Sequence, residues 1–275
     1  MAVFTNISAY AFAQLGQLKV LQAALRTRCA EAGMRGTILL SPEGINVFVA
    51  AAPGACDELL TYLRTIPGLA DLSPKISQSH HQPFDRMLAK IKKEIIAFGF
   101  SGIDPGRSPA PRVSPKTLKE WLDQRRPVTL LDIRNAYEVK LGTFRGARTL
   151  DLTHFREFPM AVASLPGHLK DEPIVTFCTG GIRCEKAAPF LQGASFAQVF
   201  QLDGGILRYF EECGGEHFEG DCFVFDKRVA LDACLRETGA ALCFVCQTPL
   251  TASEQQDPRY VMSVSCPHCH KQSET

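Results

Sequence analysis

Ile174-Val175-Thr176-Phe177-Cys178-Thr179-Gly180-Gly181-Ile182-Arg183-Cys184-Glu185-Lys186-Ala187-Ala188 runs from a short apolar segment through a cysteine, a glycine pair and an arginine into a helical stretch. The apolar segment reads as a buried strand, and Gly180-Gly181 as the turn that ends it. A turn at a helix N-terminus can aim several backbone N–H groups at one atom and form an anion-binding nest. With Arg183 beside it, such a nest favours thiolate over thiol and makes Cys178 nucleophilic at neutral pH. Gly180 and Gly181 then bind the reacting group, and Arg183 supplies the charge. The competing reading, a buried cysteine closing a core strand, leaves the glycines and the arginine without a purpose. Cys184, six residues after Cys178, reads equally as a thiol that resolves an oxidised Cys178 and as a packing residue.

The strand–turn–helix unit fixes the class of the surrounding segment. Thr129–Ile133, Ile174–Phe177 and Gln198–Leu202 are apolar runs alternating with helical stretches, which predicts a doubly wound, mostly parallel sheet with its reactive loops at the strand carboxyl ends. Ser114-Pro115 opens a helix through Leu118 and Trp121, serine as N-cap and proline at the first position. Residues 116–219 are assigned to this domain. Before it, 104–115 carries Pro105, Pro109, Pro111 and Pro115 and reads as an extended linker. Residues 1–103 form a separate α+β domain. Strand 3–9, helix 15–32 with Leu18, Leu21, Leu25 and Cys29 in register, the pair 37–40 and 45–49 joined by Ser41-Pro42-Glu43-Gly44, helix 57–65 and strand 75–79 give the order βαββαβ, a ferredoxin-like sandwich. An alternating segment, Lys90 to Phe98, follows it.

Composition excludes several classes. The 275 residues are 45% hydrophobic and 21% charged, as in an ordinary globular protein. A net charge of +1 means that any nucleic-acid contact needs a local patch. Met1-Ala2-Val3-Phe4-Thr5-Asn6 lacks the basic-then-apolar plan of a secretion signal, and no apolar run has the length of a membrane span. Eleven cysteines, an odd number clustered late, suit cytosolic thiol and metal chemistry better than a disulfide framework. The expected location is the cytoplasm.

Residues 220–275 form a cysteine-rich tail. Cys243-Phe244-Val245-Cys246 and Cys266-Pro267-His268-Cys269 are separated by nineteen residues. This spacing suits a tetrahedral structural zinc site in a ribbon-like tail, with His268 and His270 as competing ligands; a degenerate ribbon or four free thiols is the competing reading. Cys213, Cys222 and Cys234 have no such spacing and read as packing residues.

The Cys178 loop resembles the active-site loop of rhodanese-like domains, whose cysteine carries persulfide sulfur. Leu130-Leu131-Asp132-Ile133-Arg134-Asn135-Ala136-Tyr137-Glu138 resembles the early Asp-x-Arg segment of that family. Gly142 to Ala147 is similar to its Gly-x-x-x-Gly-Ala segment, with Thr143 where many relatives have histidine, and Leu202-Asp203-Gly204-Gly205-Ile206 to its closing glycine pair. A loop of six residues, Cys178 to Arg183, is the length typical of sulfur-handling members; related phosphatases and arsenate reductases have a longer one.

The whole chain resembles the tRNA uridine(34) hydroxylase family through Ser41-Pro42-Glu43-Gly44-Ile45-Asn46, Lys90-Ile91-Lys92-Lys93-Glu94-Ile95, the Cys178 loop and Gly214 to Arg228. The resemblance implies conversion of wobble uridine in the tRNA anticodon loop to 5-hydroxyuridine, with molecular oxygen as co-substrate, a small-molecule reductant of unspecified identity, and Cys178 as the reactive, persulfide-type cysteine. Lys90, Lys92 and Lys93, near His80, His81 and Arg86, form a cationic segment suited to phosphate contacts, and Phe84 and Phe98 are candidate stacking surfaces. A protective lysine edge is the competing reading of that segment. Neither a Gly-x-Gly-x-x-Gly loop nor a two-His-one-carboxylate set marks a redox cofactor. A plain sulfurtransferase working through a Cys178 persulfide is the alternative, although sulfur transfer alone does not require the N-terminal domain. A non-catalytic RNA-binding protein would not need the activated cysteine.

Overall fold

The computed structural model describes residues 3–270; Met1 and Ala2 at the head, and residues 271–275 of the cysteine-rich tail, lie outside the described residues. One compact unit ends at Ala110 and a second begins at Pro111. The first contains β1 (Phe4–Phe12), α1 (Leu18–Glu31), β2 (Arg35–Ser41), β3 (Gly44–Ala51), α2 (Pro53–Arg64), β4 (Lys75–Ser79) and β5 (Met87–Ile91). The strand order is β4-β1-β3-β2-β5, antiparallel except where β5 runs parallel to β2. β3 is central and buried at nearly every position, hence its unbroken apolar run. Leu21, Leu25 and Cys29, one face of α1 at four-residue spacing, pack with Cys56, Leu59 and Leu63 of α2 in the core.

The segment expected to alternate from Lys90 to Phe98 is strand only as far as Ile91. Side chains of the β2–β3 turn capture the backbone beyond it. Ser41 Oγ donates to Lys93 O at 2.9 Å, Ile95 N–H donates to Glu43 Oε1 at 2.8 Å, and Asn46 Nδ2 donates to Ile95 O at 3.3 Å. These bonds replace ladder partners and turn the chain away from the sheet. Residues 41–46 and 90–95 are therefore one local structure, with Lys90, Lys92 and Lys93 exposed on it.

The second unit holds β6 (Arg112–Val113), α3 (Pro115–Asp123), β7 (Thr129–Asp132), α4 (Ala136–Val139), β8 (Gly142–Phe144), α5 (Phe158–Val162), β9 (Pro173–Phe177), α6 (Cys184–Gly193), β10 (Gln198–Leu202) and α7 (Gly205–Cys213). Short strands β11 (Phe218–Gly220), β12 (Cys222–Phe223), β13 (Ala230–Leu231), β14 (Ala241–Leu242) and β15 (Pro249–Leu250) follow. The main sheet has the order β6-β10-β9-β7 and is parallel throughout. Ser114 caps α3, accepting from Thr117 N–H at 3.1 Å, with Pro115 at the first turn. Val175 and Phe177 of β9 face a cluster with Leu118 of α3 and Tyr209 of α7. Phe144 fills its centre, meeting Phe177, Tyr209 and Phe218 edge to face at 5.0, 4.7 and 5.3 Å. Among the described residues no helix is long and apolar enough to cross a membrane.

Candidate active site and metal centre

β9 ends at Phe177, so Cys178 stands at the carboxyl end of a central parallel strand, 1% exposed. Gly181 N–H donates to its Sγ at 3.1 Å; the Arg183 N–H and the Cys184 thiol also point at it. Gly181 takes φ 99°, a conformation that a side chain would strain. Burial alone would raise the Cys178 pKa, but the Cys184 hydrogen bond, the Arg183 guanidinium and the two N–H groups outweigh it and hold the thiol at about 6. Cys184, first residue of α6, is pushed well up by burial and then by the neighbouring Cys178. The pair is thus arranged as one thiolate and one thiol. α7 closes the loop from the other side: Ile206 and Leu207 N–H groups donate to the Cys178 and Thr179 carbonyls at 3.0 and 3.1 Å. That approach requires Gly205, where a Cβ would stand 2.4 Å from Cys178 O.

Arg183 is 5% exposed and held by Glu138, itself fully buried. Its Nη2 donates to Glu138 Oε1 at 3.0 Å and lies 2.8 Å from Oε2. Glu138 also accepts from Asn135 N–H at 3.0 Å and Thr179 Oγ at 3.3 Å, so one carboxylate ties α4 to both ends of the loop. Burial lowers the Arg183 pKa, but Glu138 and Cys178 more than reverse this, keeping the guanidinium charged. Beneath it, Arg134 pairs with Asp132 at 2.7 Å, both side chains fully buried. Thr143 donates to the same carboxylate at 2.7 Å, which gives the residue at the unusual position a structural role. The Asp-x-Arg segment was legible as a landmark, but not Glu138 as the loop's anchor. Its only sequence signal is an acidic residue four after the arginine.

The structure brings Cys178, Gly180, Gly181, Arg183 and Cys184 into one loop. Lys90, Lys92 and Lys93, with His80, His81 and Arg86, are exposed in the other unit. Phe98 is fully buried and cannot stack on a base, contrary to expectation; Phe84 is half-buried, and the exposed ring nearby in sequence is Phe100. Of the cysteines read as packing residues, Cys222 is buried and Cys213 half-buried, but Cys234 is exposed on a turn.

Cys243, Cys246, Cys266 and Cys269 converge, their sulfurs all within 4.8 Å of one another. Two knuckles present them: Gln247 N–H returns to Cys243 O at 2.8 Å, and Cys269 N–H to Cys266 O at 3.0 Å. Three of the separations are 3.8, 3.6 and 3.6 Å. A tetrahedral metal with sulfur bonds of about 2.3 Å sets its ligands about 3.8 Å apart, so the donor set fits a metal. His268 does not compete for it: its Nε2 meets Glu254 at 2.6 Å and also contacts Lys140.

A cysteine cradled by backbone N–H groups beyond the central strand of a parallel sheet is the arrangement of a rhodanese-like domain, and residues 114–212 match the family model of that description. Residues 4–95 match the UPF0176 acylphosphatase-like domain. A tRNA uridine(34) hydroxylase of Cupriavidus necator is 50% identical over 269 residues, covering 96% of this chain and 95% of its own. The protein so named in Cupriavidus taiwanensis is 50% identical with the same coverage. A solution structure of a rhodanese-like domain from Anabaena sp. matches 40% of this chain and 79% of its own at 27% identity, with a TM-score of 0.33. The chain belongs to the tRNA uridine(34) hydroxylase family.

Proposed function

We propose that this protein hydroxylates uridine 34 of tRNA at C5, with Cys178 as the reactive cysteine and Arg183 as its charge partner. The observation that carries the reading is the Cys178 nest, a thiol held near pKa 6 inside a buried network, in a chain whose relatives carry the hydroxylase name along almost its full length. Replacing C5–H by C5–OH removes two electrons from the base. With molecular oxygen as co-substrate, one atom enters the base and the other leaves as water, taking two electrons and two protons from a small reductant. A persulfide on Cys178 would carry the reactive sulfur about 2 Å further out, which suits a thiol that is itself buried. Cys184, hydrogen-bonded to Cys178, is placed to resolve an oxidised form by disulfide formation. Nucleoside mass spectrometry of tRNA from a deletion strain lacking redundant pathways, with and without this gene restored, tests the reading: unchanged 5-hydroxyuridine at position 34 removes it. A simple sulfurtransferase would instead show thiosulfate-to-cyanide turnover and no effect on that nucleoside.

The first unit is proposed as the RNA grip. Its order β4-β1-β3-β2 supports the ferredoxin-like assignment, with β5 added at the edge. The family models leave 96–113 unmatched and the compact units part after Ala110, which supports a linker between a domain at 1–103 and the catalytic domain. That linker runs from 104 only to about 110, not to 115: Arg112–Val113 is already a strand of the main sheet, and Ser114-Pro115 opens α3 of the catalytic domain read as 116–219. Action on tRNA accords with a cytoplasmic location. Lys90, Lys92 and Lys93 stand exposed on a segment whose backbone Ser41, Glu43 and Asn46 fix, a rigid row of cations for phosphates. Charge reversal at Lys92 and Lys93 together is expected to weaken tRNA binding at least about tenfold at physiological salt and to flatten its salt dependence. Filter binding across a salt series measures both; wild-type affinity and slope would leave the lysines as edge protection.

The cysteine cluster is proposed to hold structural zinc within the tail at 220–275. Purified protein should carry close to one zinc per chain, and chelation should open the segment beyond Leu242 to protease. A metal-free preparation with an equally resistant tail would end this assignment.

A further inference from the structure

Phe225 is 47% exposed, on the turn between β12 and β13, yet its neighbours belong to the Cys178 site. The Arg183 guanidinium carbon lies 5.6 Å from its ring centroid. Phe223 meets Phe225 edge to face at 5.1 Å, and Tyr137, next to Glu138, meets Phe223 at 5.3 Å. The turn that presents the ring is firmly built. Val224 N–H donates to Val229 O at 2.9 Å and Val229 N–H to Asp226 O at 3.0 Å. Arg228 grips Asp226 through Nε at 2.9 Å and Nη2 at 2.6 Å, with both side chains almost fully buried. A buried ion pair thus fixes a turn whose tip is an exposed aromatic ring against the loop arginine. Nη1 of Arg183 is buried without a hydrogen-bond partner among the described residues, an uncommon state for a charged donor.

We propose that Phe225 is the stacking platform for the pyrimidine base presented to Cys178, with the Arg183 guanidinium over the ring supplying positive charge beside the bound base. This rests on the tRNA hydroxylase reading and deepens it. An anticodon base is unpaired and offers a flat π face, and aromatic side chains take such bases by stacking. A guanidinium over the same ring adds positive charge where the O2 and O4 carbonyls of a uracil carry negative charge. The ring therefore positions the base; it takes no part in bond making.

The test uses the full chain with Phe225→Tyr, Phe225→Leu and Phe225→Ala. Two measurements are made on each: the KM for tRNA in 5-hydroxyuridine formation, and the fluorescence of an anticodon stem–loop bearing 2-aminopurine at position 34. Wild type and Phe225→Tyr should quench the probe, whereas Phe225→Leu and Phe225→Ala should lose the quench and raise KM about tenfold. Alkylation of Cys178, which needs no base, serves as the folding control and should keep its wild-type rate in each variant. A Phe225→Leu protein with wild-type KM and quench would overturn the platform while the hydroxylase reading stands. Wild-type protein that quenches the probe but forms no 5-hydroxyuridine would sink the hydroxylase reading and leave the platform.

Discussion

Cys178→Ser should eliminate 5-hydroxyuridine formation, leave tRNA affinity unchanged and move Tm by no more than about 2 °C. Oxygen fits where sulfur was, and the hydroxyl still accepts from Gly181 N–H, so the fold has no reason to suffer. What disappears is the polarizable nucleophile that ionises in reach of neutral pH. The pH dependence carries the same signature. A thiol held at about 6 is mostly ionised at pH 7, against about three-hundredths for an ordinary one at about 8.5. The rate of Cys178 alkylation should therefore climb through pH 6 and level off by pH 7 to 8, where an unperturbed thiol would still be rising. Because the Cys184 thiol is a donor to Cys178, Cys184→Ala should shift that midpoint upward, and under peroxide it should leave Cys178 open to irreversible oxidation. An active Cys178→Ser protein, or an alkylation midpoint near 9, would rule out the activated cysteine. Stopped alkylation series and nucleoside mass spectrometry measure the two.

The loop was legible because its chemistry is local. Strand, cysteine, glycine turn, arginine and helix follow one another within fifteen residues, and each signals its conformation to its neighbours. The parallel sheet was legible for the same reason, from apolar runs spaced by helical stretches. What the sequence concealed are pairings across distance. Glu138 reaches Arg183 over forty-five positions, and only the folded sheet brings α4 to the loop. Ser41, Glu43 and Asn46 look like ordinary turn residues until the segment after Ile91 lies over them, which is why that segment read as a longer strand. Phe98 differs from its expectation on similar grounds: a ring in a lysine-bearing stretch resembles a surface residue, but Glu94 turns the chain by accepting from Phe98 and Gly99 N–H at 3.1 and 3.2 Å, and the ring goes inward. Phe225, one apolar residue in a run of them, reads as core. Its exposure is a tertiary fact.

Glu138→Gln should lower the stability of the second unit by about 3–5 kcal/mol, a fall in Tm on the order of 10 °C, and cut hydroxylation at least about tenfold. The size follows from what remains behind. An amide keeps the shape and can still accept from Asn135 N–H, but Arg183 is left charged and buried with its counter-ion gone, and a buried unpaired charge costs more than a pair returns. Removing the second charge tests this account. Glu138→Gln with Arg183→Met should recover a large part of the lost Tm, since the orphaned guanidinium is no longer there. It should not recover activity, because Cys178 then lacks the cation that lowers its pKa, and its alkylation midpoint should rise. Stability and activity thus part company in the double variant. Thermal unfolding and alkylation kinetics on wild type, Glu138→Gln and the double variant decide it: equal Tm losses in the single and double variants would mean that the network acts by packing alone, and full activity in Glu138→Gln would mean that the loop needs no anchor.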